Sequence, residues 1–281
     1  MTKARKLLAV LLAMALVAMV FGLVGCGQKA EPVAEKPATE TPAPETPAAP
    51  AYKLVTEGKL MIGSDLDYPP MEQLNGDQPE GFDVDLMTAI AKEMGLEIEY
   101  LPPQDFDALP ALVNAGKFDV IASSLTINDE RKKIIQFTDA YFESNQSIAM
   151  KAGSTYASPE DLKGKKVGVQ SGTTGEQWAT ENLKPAGATI VPFKKTSQAF
   201  AALQGGNVAA VVNDLPITNE IVKDESKKLE IVKQIPTGEL YGFAVAKDNP
   251  ELATAINAAL KTVKDSGEYK TMYEKWIGPM E

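Results

Sequence analysis

Ser123, Ser124 and Thr126 bring three hydroxyls together just ahead of Arg131. A guanidinium presents a planar fork of N–H donors that fits a carboxylate more directionally than a lysine ammonium does. The stretch from Ser123 to Arg131 therefore suits the gripping of a small carboxylate. Read alone, Asp129 to Lys133 fits a solvated helix face equally well. A second stretch, Gly168 to Gly175, carries Gln170, Thr173 and Thr174 through a glycine turn into a helix start. The first N–H groups of a helix lack intrahelical partners and attract anions. The stretch lacks the lysine and spacing of a phosphate-binding loop, so a carboxylate is a more natural guest than a nucleotide. Asp214 offers the opposite requirement, a negative acceptor for an ammonium group. Its alternative is a helix N-cap ahead of Leu215-Pro216.

Composition removes most catalytic classes. The 281 residues contain no histidine and one cysteine, Cys26. Serine triads, Cys–His dyads and zinc sites with nitrogen or sulfur ligands are excluded, and neither metal nor cofactor is expected. Chemistry on carboxylates remains open. A net charge of −10 argues against nucleic acid as a partner. Lys3, Arg5 and Lys6 precede an apolar run from Leu7 to Val24, and small residues then lead to Cys26. This order reads as a signal segment over 1–25, with an uncleaved membrane helix as the alternative. Leu23-Val24-Gly25-Cys26 resembles the lipobox of bacterial lipoproteins, which implies lipidation of Cys26. From 26 to 52 the chain is rich in Pro, Ala and Glu and is expected to be a disordered stalk. The membrane is then a partner only through the lipid anchor.

The elements that must position these groups alternate from Lys53 onward. Lys59 to Gly63 reads as a strand, and Asp83 reads as the cap of a helix carrying Leu86, Ile90 and Met94. Leu96 to Tyr100 alternates as a half-buried strand does. A helix through Leu109 and Val113 precedes a buried strand at Val120 to Ala122. The second half repeats the alternation, with strand Val167 to Val169, helix from Thr173, strand Thr189 to Val191, helix from Ser197 and strand Val208 to Val212. This order predicts α/β architecture with largely parallel sheets. Gly116 to Leu125 also overlays Gly206 to Leu215, placing Ser124 opposite Asp214, both beyond a strand end where ligands of open α/β sheets bind. Two such half-sites suggest two lobes facing a cleft.

In order, Asp65…Tyr68-Pro69-Pro70, Gly81-Phe82-Asp83-Val84-Asp85-Leu86, Phe106-Asp107-Ala108-Leu109, Ser123 to Ile127 with Arg131, Phe137-Thr138-Asp139, Gly172-Thr173-Thr174 and Asn213-Asp214 resemble the bacterial polar amino acid–binding proteins. These are the extracytoplasmic receptors of ABC importers. The resemblance covers Lys53 to Gly278. It implies a type II periplasmic binding fold: lobe 1 over 53–143 and 243–281, lobe 2 over 144–242, and crossover hinge strands near 146–151 and 240–247. It also implies a monomer that hands a free polar amino acid to a permease. Arg131 matches the residue that grips the ligand α-carboxylate, with backbone N–H groups near Thr126 and Thr174. Ser124, Thr126 and Asp214 match the groups around the α-ammonium. Tyr68 and Phe106 match the side-chain sandwich, and Asp65 a position at its far end. Gln170 stands where glutamine-selective relatives often have lysine. A carboxylate at Asp65 favours a donor, so arginine, lysine, histidine or glutamine is expected over glutamate or leucine, with a tilt to arginine. Two alternatives stay open: a dehydratase on this fold, with Glu72 or Glu143 as proton donor, and an amino acid-sensing lipoprotein.

Overall fold

The computed structural model describes residues 52–280. The segments expected to be a signal and a stalk, with Cys26, lie outside the described residues. Strand β1 (Lys59–Gly63) opens the first lobe and leads through β2 (Asp67–Tyr68), β3 (Glu72–Asn75) and β4 (Gln78–Glu80), a small antiparallel sheet, to helix α1 (Phe82–Glu93). Next come β5 (Glu97–Tyr100), α2 (Leu109–Asn114), β6 (Val120–Ile121), α3 (Asp129–Ile134) and β7 (Ile135–Phe137). The chain then leaves along β8 (Phe142–Lys151) and builds the second lobe from β9 (Lys166–Gln170), α4 (Thr174–Asn182), β10 (Thr189–Phe193), α5 (Thr196–Gly205), β11 (Ala210–Asp214) and α6 (Leu215–Val222). It returns along β12 (Leu229–Tyr241) to β13 (Ala244–Ala246), and α7 (Pro250–Asp265) and α8 (Glu268–Trp276) complete the first lobe.

Two five-stranded sheets result, ordered β5-β1-β6-β13-β7 and β10-β9-β11-β8-β12. Both are mixed. The parallel halves, β5-β1-β6 and β10-β9-β11, are the alternating units legible in the sequence. The antiparallel pairings all involve a strand that crosses between lobes or lies next to a crossing: β8, β12 and β13. The overlay of Gly116–Leu125 on Gly206–Leu215 corresponds to β6 and β11, each third in its sheet. β11 ends on Asp214 itself, so that carboxylate belongs to the strand's last residue rather than to the loop beyond it.

Alternation explains the burial. In β1, Leu60 and Ile62 are fully buried, whereas edge strand β5 exposes Glu97 and Glu99. One apolar cluster in the first lobe joins Leu109, Val113, Phe118 and Ile121; another in the second joins Ile148, Val167, Val169 and Val212. Asp83 is not the cap of α1. Gly81 holds that position, and the first helical N–H groups are satisfied by loop carbonyls, Phe82 on Pro70 at 3.0 Å and Asp83 on Met71 at 2.8 Å. The Asp83 side chain is thereby freed to point inward.

Candidate functional site

A narrow, tightly closed cavity lies where the ends of β6 and β11 face each other. Every residue expected from the sequence to hold the ligand lines it except Ser123, and Glu72 lines it as well. Ser123 sits one layer behind, donating to Glu72 Oε1 at 2.9 Å and accepting the Asp65 N–H at 3.1 Å.

Arg131 is the only arginine after Arg5, and it is 9% exposed rather than part of the solvated helix face that its neighbours suggest. Asp129, Glu130, Lys132 and Lys133 do face solvent. The difference arises because Asn128 caps α3 through its side chain, accepting the Arg131 N–H at 2.8 Å and turning that one residue inward. Its Nη1 donates to the Thr126 carbonyl at 2.8 Å and its Nη2 to the Gly172 carbonyl at 2.9 Å, one bond to each lobe. The guanidinium carbon stands 5.5 Å from the Phe106 ring centroid, within cation–π range. A guanidinium has five N–H donors, so donors remain after these two bonds. Burial lowers its pKa to about 10, opposed by the charges of Asp214 and Glu239.

Gly172, whose carbonyl takes part in this contact, has φ +77, a conformation glycine adopts without penalty. An added Cβ would lie 2.8 Å from the Asp107 Cβ. The lobes approach there too closely for any side chain.

Asp214 faces Arg131's lobe from the end of β11. Although it precedes α6, it makes no side-chain capping bond. Its carboxylate instead accepts from Gln146 and from the Tyr241 hydroxyl. Burial raises its pKa to about 6, and the Glu239 charge adds to this. The Ser124 N–H donates to Asp83 at 2.8 Å, and its hydroxyl lies 3.0 Å from Glu72. With its proton directed to a carboxylate, the Ser124 oxygen offers lone pairs, as an ammonium neighbour needs. Ser124 itself has φ 47, a strained conformation for a residue with a side chain. Glu72 and Asp83 are both buried here. Burial and the Asp83 charge push Glu72 well above the usual carboxylate range, and burial pushes Asp83 to about 6. Tyr141 donates to Asp83 at 2.8 Å.

The second lobe contributes its helix start as the sequence predicts. Thr173 caps α4, accepting from the Glu176 N–H at 3.1 Å and donating to the Gln170 carbonyl at 2.7 Å. Thr174 follows at the first helical position, where the N–H has no intrahelical partner. The Tyr68 hydroxyl donates to Asn213 Oδ1 at 3.1 Å, a further bond between lobes. Of the two possible proton donors, Glu72 lines the cavity, whereas Glu143 is exposed on β8 and does not.

Two residues at the site carry no mark in the sequence pattern used above. Glu239, on β12, accepts from the Thr126 hydroxyl at 2.7 Å and the Thr174 hydroxyl at 2.6 Å, so it touches both lobes. Nothing in its local sequence marks it. Lys195 binds the Asp65 carboxylate and donates to the Asp65 carbonyl at 3.0 Å and the Gln104 carbonyl at 2.7 Å. Asp65 is therefore not a bare carboxylate. Gln170 Nε2 also donates to it, at 2.5 Å. A signal for Lys195 existed. It occupies the N-cap of α5, the helix end where the macrodipole disfavours a cation.

A family model described as bacterial extracellular solute-binding proteins, family 3, matches residues 60–279. The L-arginine-binding protein of Pseudomonas aeruginosa is 35% identical over 225 residues, covering 77% of this chain and 86% of that protein. The ABC transporter glutamine-binding protein GlnH of Bacillus subtilis is 39% identical over 202 residues, covering 70% and 72% respectively. Among solved structures, an ancestral arginine-binding protein, determined with arginine and with glutamine, superposes with a TM-score of 0.75 at 42% identity, covering 79% of this chain and 99% of that one. The match spans both lobes and the crossings that join them, so this chain belongs to the bacterial extracellular solute-binding proteins, family 3.

Proposed function

We propose that the protein is a lipid-anchored extracytoplasmic receptor that closes its lobes on a polar amino acid and delivers it to an ABC importer. Arginine, another basic amino acid and glutamine are the candidate ligands. The observation that carries this reading is the pairing of Arg131 and Asp214 around one buried cavity from opposite lobes. A zwitterion leaving water needs a hydrogen-bonded partner for each charge. The Arg131 donors left over from its two backbone bonds suit the α-carboxylate, with the Thr174 N–H beside them. Asp214 and the Ser124 oxygen suit the α-ammonium, and Tyr68 and Phe106 flank the side chain. Only a closed arrangement brings both charged partners to one ligand, so binding favours closure by its differential affinity for that state. No covalent step is involved. A thermal-shift screen against the twenty amino acids tests the reading. A ligand at about 100 times its dissociation constant stabilises the fold by about 2.7 kcal/mol. Absence of a shift with every amino acid would sink it.

The pH dependence of binding follows from Asp214. It titrates at about 6 because it is buried near Glu239. An ammonium beside it favours the ionised form, so binding releases the proton that Asp214 holds below that pH. Affinity is therefore full above about pH 6 and is expected to fall by up to about tenfold per unit below it. Calorimetry in two buffers of different ionisation heat should show proton release near pH 6. Equal affinities at about pH 5 and pH 7 would rule out an ionised Asp214 as the ammonium partner.

The anchoring part of the proposal rests on Leu23-Val24-Gly25-Cys26. Cleavage is expected between Gly25 and Cys26, with lipid on the new N-terminal cysteine. Two or more acyl chains give the lasting attachment that one chain does not. Intact mass spectrometry of membrane-extracted protein checks this, and an unmodified Cys26 or a retained Met1 contradicts it.

A further inference from the structure

We propose that Glu72 is a positioning residue of this site: it stands un-ionised beside an ionised Asp83 and gives its hydrogen to Ser124, fixing the serine oxygen as an acceptor for the ligand ammonium. The inference rests on the amino acid-binding reading above.

Glu72 opens β3 and Asp83 sits in the first turn of α1, and both are buried, at 1% and 0% exposure. They meet at one hydroxyl. Glu72 Oε2 lies 3.0 Å from Ser124 Oγ, and Asp83 Oδ2 lies 3.3 Å from it. Two buried carboxylates this close resist ionising together unless a cation pairs with one of them. Neither has such a partner among the described residues. Lys195 pairs instead with Asp65, and Lys275 with Asp85 at 2.7 Å. The other titratable or charged groups around them are Tyr68 on β2, Tyr100 on β5, Tyr141 ahead of β8, and Arg131 and Asp214 across the cavity. Burial first, and then the charges of Asp83 and Asp65, hold Glu72 well above the usual carboxylate range.

The hydrogen-bond partners decide which acid keeps the proton. Asp83 accepts the Ser124 backbone N–H at 2.8 Å, from a group that can only donate, and the Tyr141 hydroxyl at 2.8 Å. An ionised carboxylate suits both. Glu72 meets hydroxyls alone, and a hydroxyl accepts as readily as it donates. Ser123 already accepts the Asp65 N–H at 3.1 Å, so its own hydrogen goes to Glu72 Oε1 at 2.9 Å. The Glu72 proton therefore belongs on Oε2, directed at Ser124 Oγ. The Ser124 hydrogen then turns to Asp83, and one oxygen lone pair is left for the cavity that Ser124 lines. With Glu72 ionised, both acids would compete for that single hydrogen, and the lone pair would not be held in one direction. Asp83 fixes the backbone in the same way, since its bond to the N–H holds Ser124 at φ 47.

Infrared spectroscopy and thermal melts on the wild-type protein and on Glu72→Gln read the proton. Wild type is expected to show a protonated-carboxyl band at about pH 7 that Glu72→Gln lacks. An acid that titrates higher in the folded chain than in the unfolded one loses stability as pH rises between the two values. Glu72→Gln should therefore gain on wild type above about pH 4.5, by up to about tenfold in the folding equilibrium per unit. An ionised Glu72 serving only as an acceptor would give the opposite trend. Calorimetry with L-arginine and L-glutamine reads the positioning. Glu72→Ala should bind roughly tenfold more weakly. Glu72→Gln keeps a donor for Ser124 and should recover most of that loss, and Glu72→Ala should add little in a Ser124→Ala background. Where Glu72→Ala melts too early to titrate, Glu72→Leu takes its place. A missing band, a Glu72→Gln protein that loses on wild type as pH rises, or equal losses in both backgrounds overturns the proposal. If neither amino acid binds the wild-type protein, the receptor reading falls and the positioning role with it, whereas the band and the pH trend still decide the proton.

Discussion

Arg131→Ala is expected to abolish amino acid binding, and it should do so more completely than any other single change in the cavity. The guanidinium is buried, and its two assigned bonds go to backbone carbonyls, Thr126 and Gly172, rather than to a carboxylate. Its charge is left for a ligand. Removing the partner of a buried charged group costs about 2–5 kcal/mol, mostly as faster dissociation. That corresponds to a loss of roughly 30- to 5,000-fold in affinity. Arg131→Lys keeps the charge but loses the fork and should recover little. Because Arg131 also ties the lobes together, the alanine variant should melt somewhat earlier even without ligand. Unchanged affinity by calorimetry in a folded Arg131→Ala protein removes the arginine from the site.

The second large effect is expected from Asp214→Asn. Asparagine and aspartate cap helices about equally well, so a residue that merely started α6 would tolerate the exchange. Asp214 makes no capping bond through its side chain, and its carboxylate points to Gln146, Tyr241 and the cavity. The substitution removes the countercharge for the ligand ammonium but keeps an oxygen to accept. A charged hydrogen bond contributes about 1.5–3 kcal/mol, so binding should weaken by roughly tenfold to a hundredfold. The pH dependence near 6 should vanish with it, because the titrating group is gone. Wild-type affinity with wild-type stability would leave Asp214 no part in recognition.

Much of the fold was legible because its determinants are local. Leu60 and Ile62 alternate as a buried strand must, Thr173 begins a helix because its side chain can cap one, and β6 and β11 share a pattern of glycine, apolar run and polar end. Where the sequence misled, a nearby backbone had replaced a side chain. Asp83 looked like a cap, yet the carbonyls of Pro70 and Met71 satisfy the start of α1. The mixed character of the sheets was hidden for a related reason: strand direction in β8, β12 and β13 follows from where the chain crosses, and apolar runs do not encode it.

By itself the sequence determined which chemistries this protein lacks, since a chain without histidine and with one cysteine near its start has no nucleophile–histidine pair to assemble. It also determined which groups await a ligand, because a guanidinium, a helix start and a carboxylate keep their preferences wherever they are placed. Only the tertiary structure decided how those groups are occupied. Lys195 and Asp65 are 130 residues apart, and Thr126 and Glu239 are 113 apart. Their pairing depends on the two crossings that bring one lobe over the other. A charge interacts through space and burial, not along the chain, so whether Asp65 attracts a cation or is already satisfied is fixed by that packing.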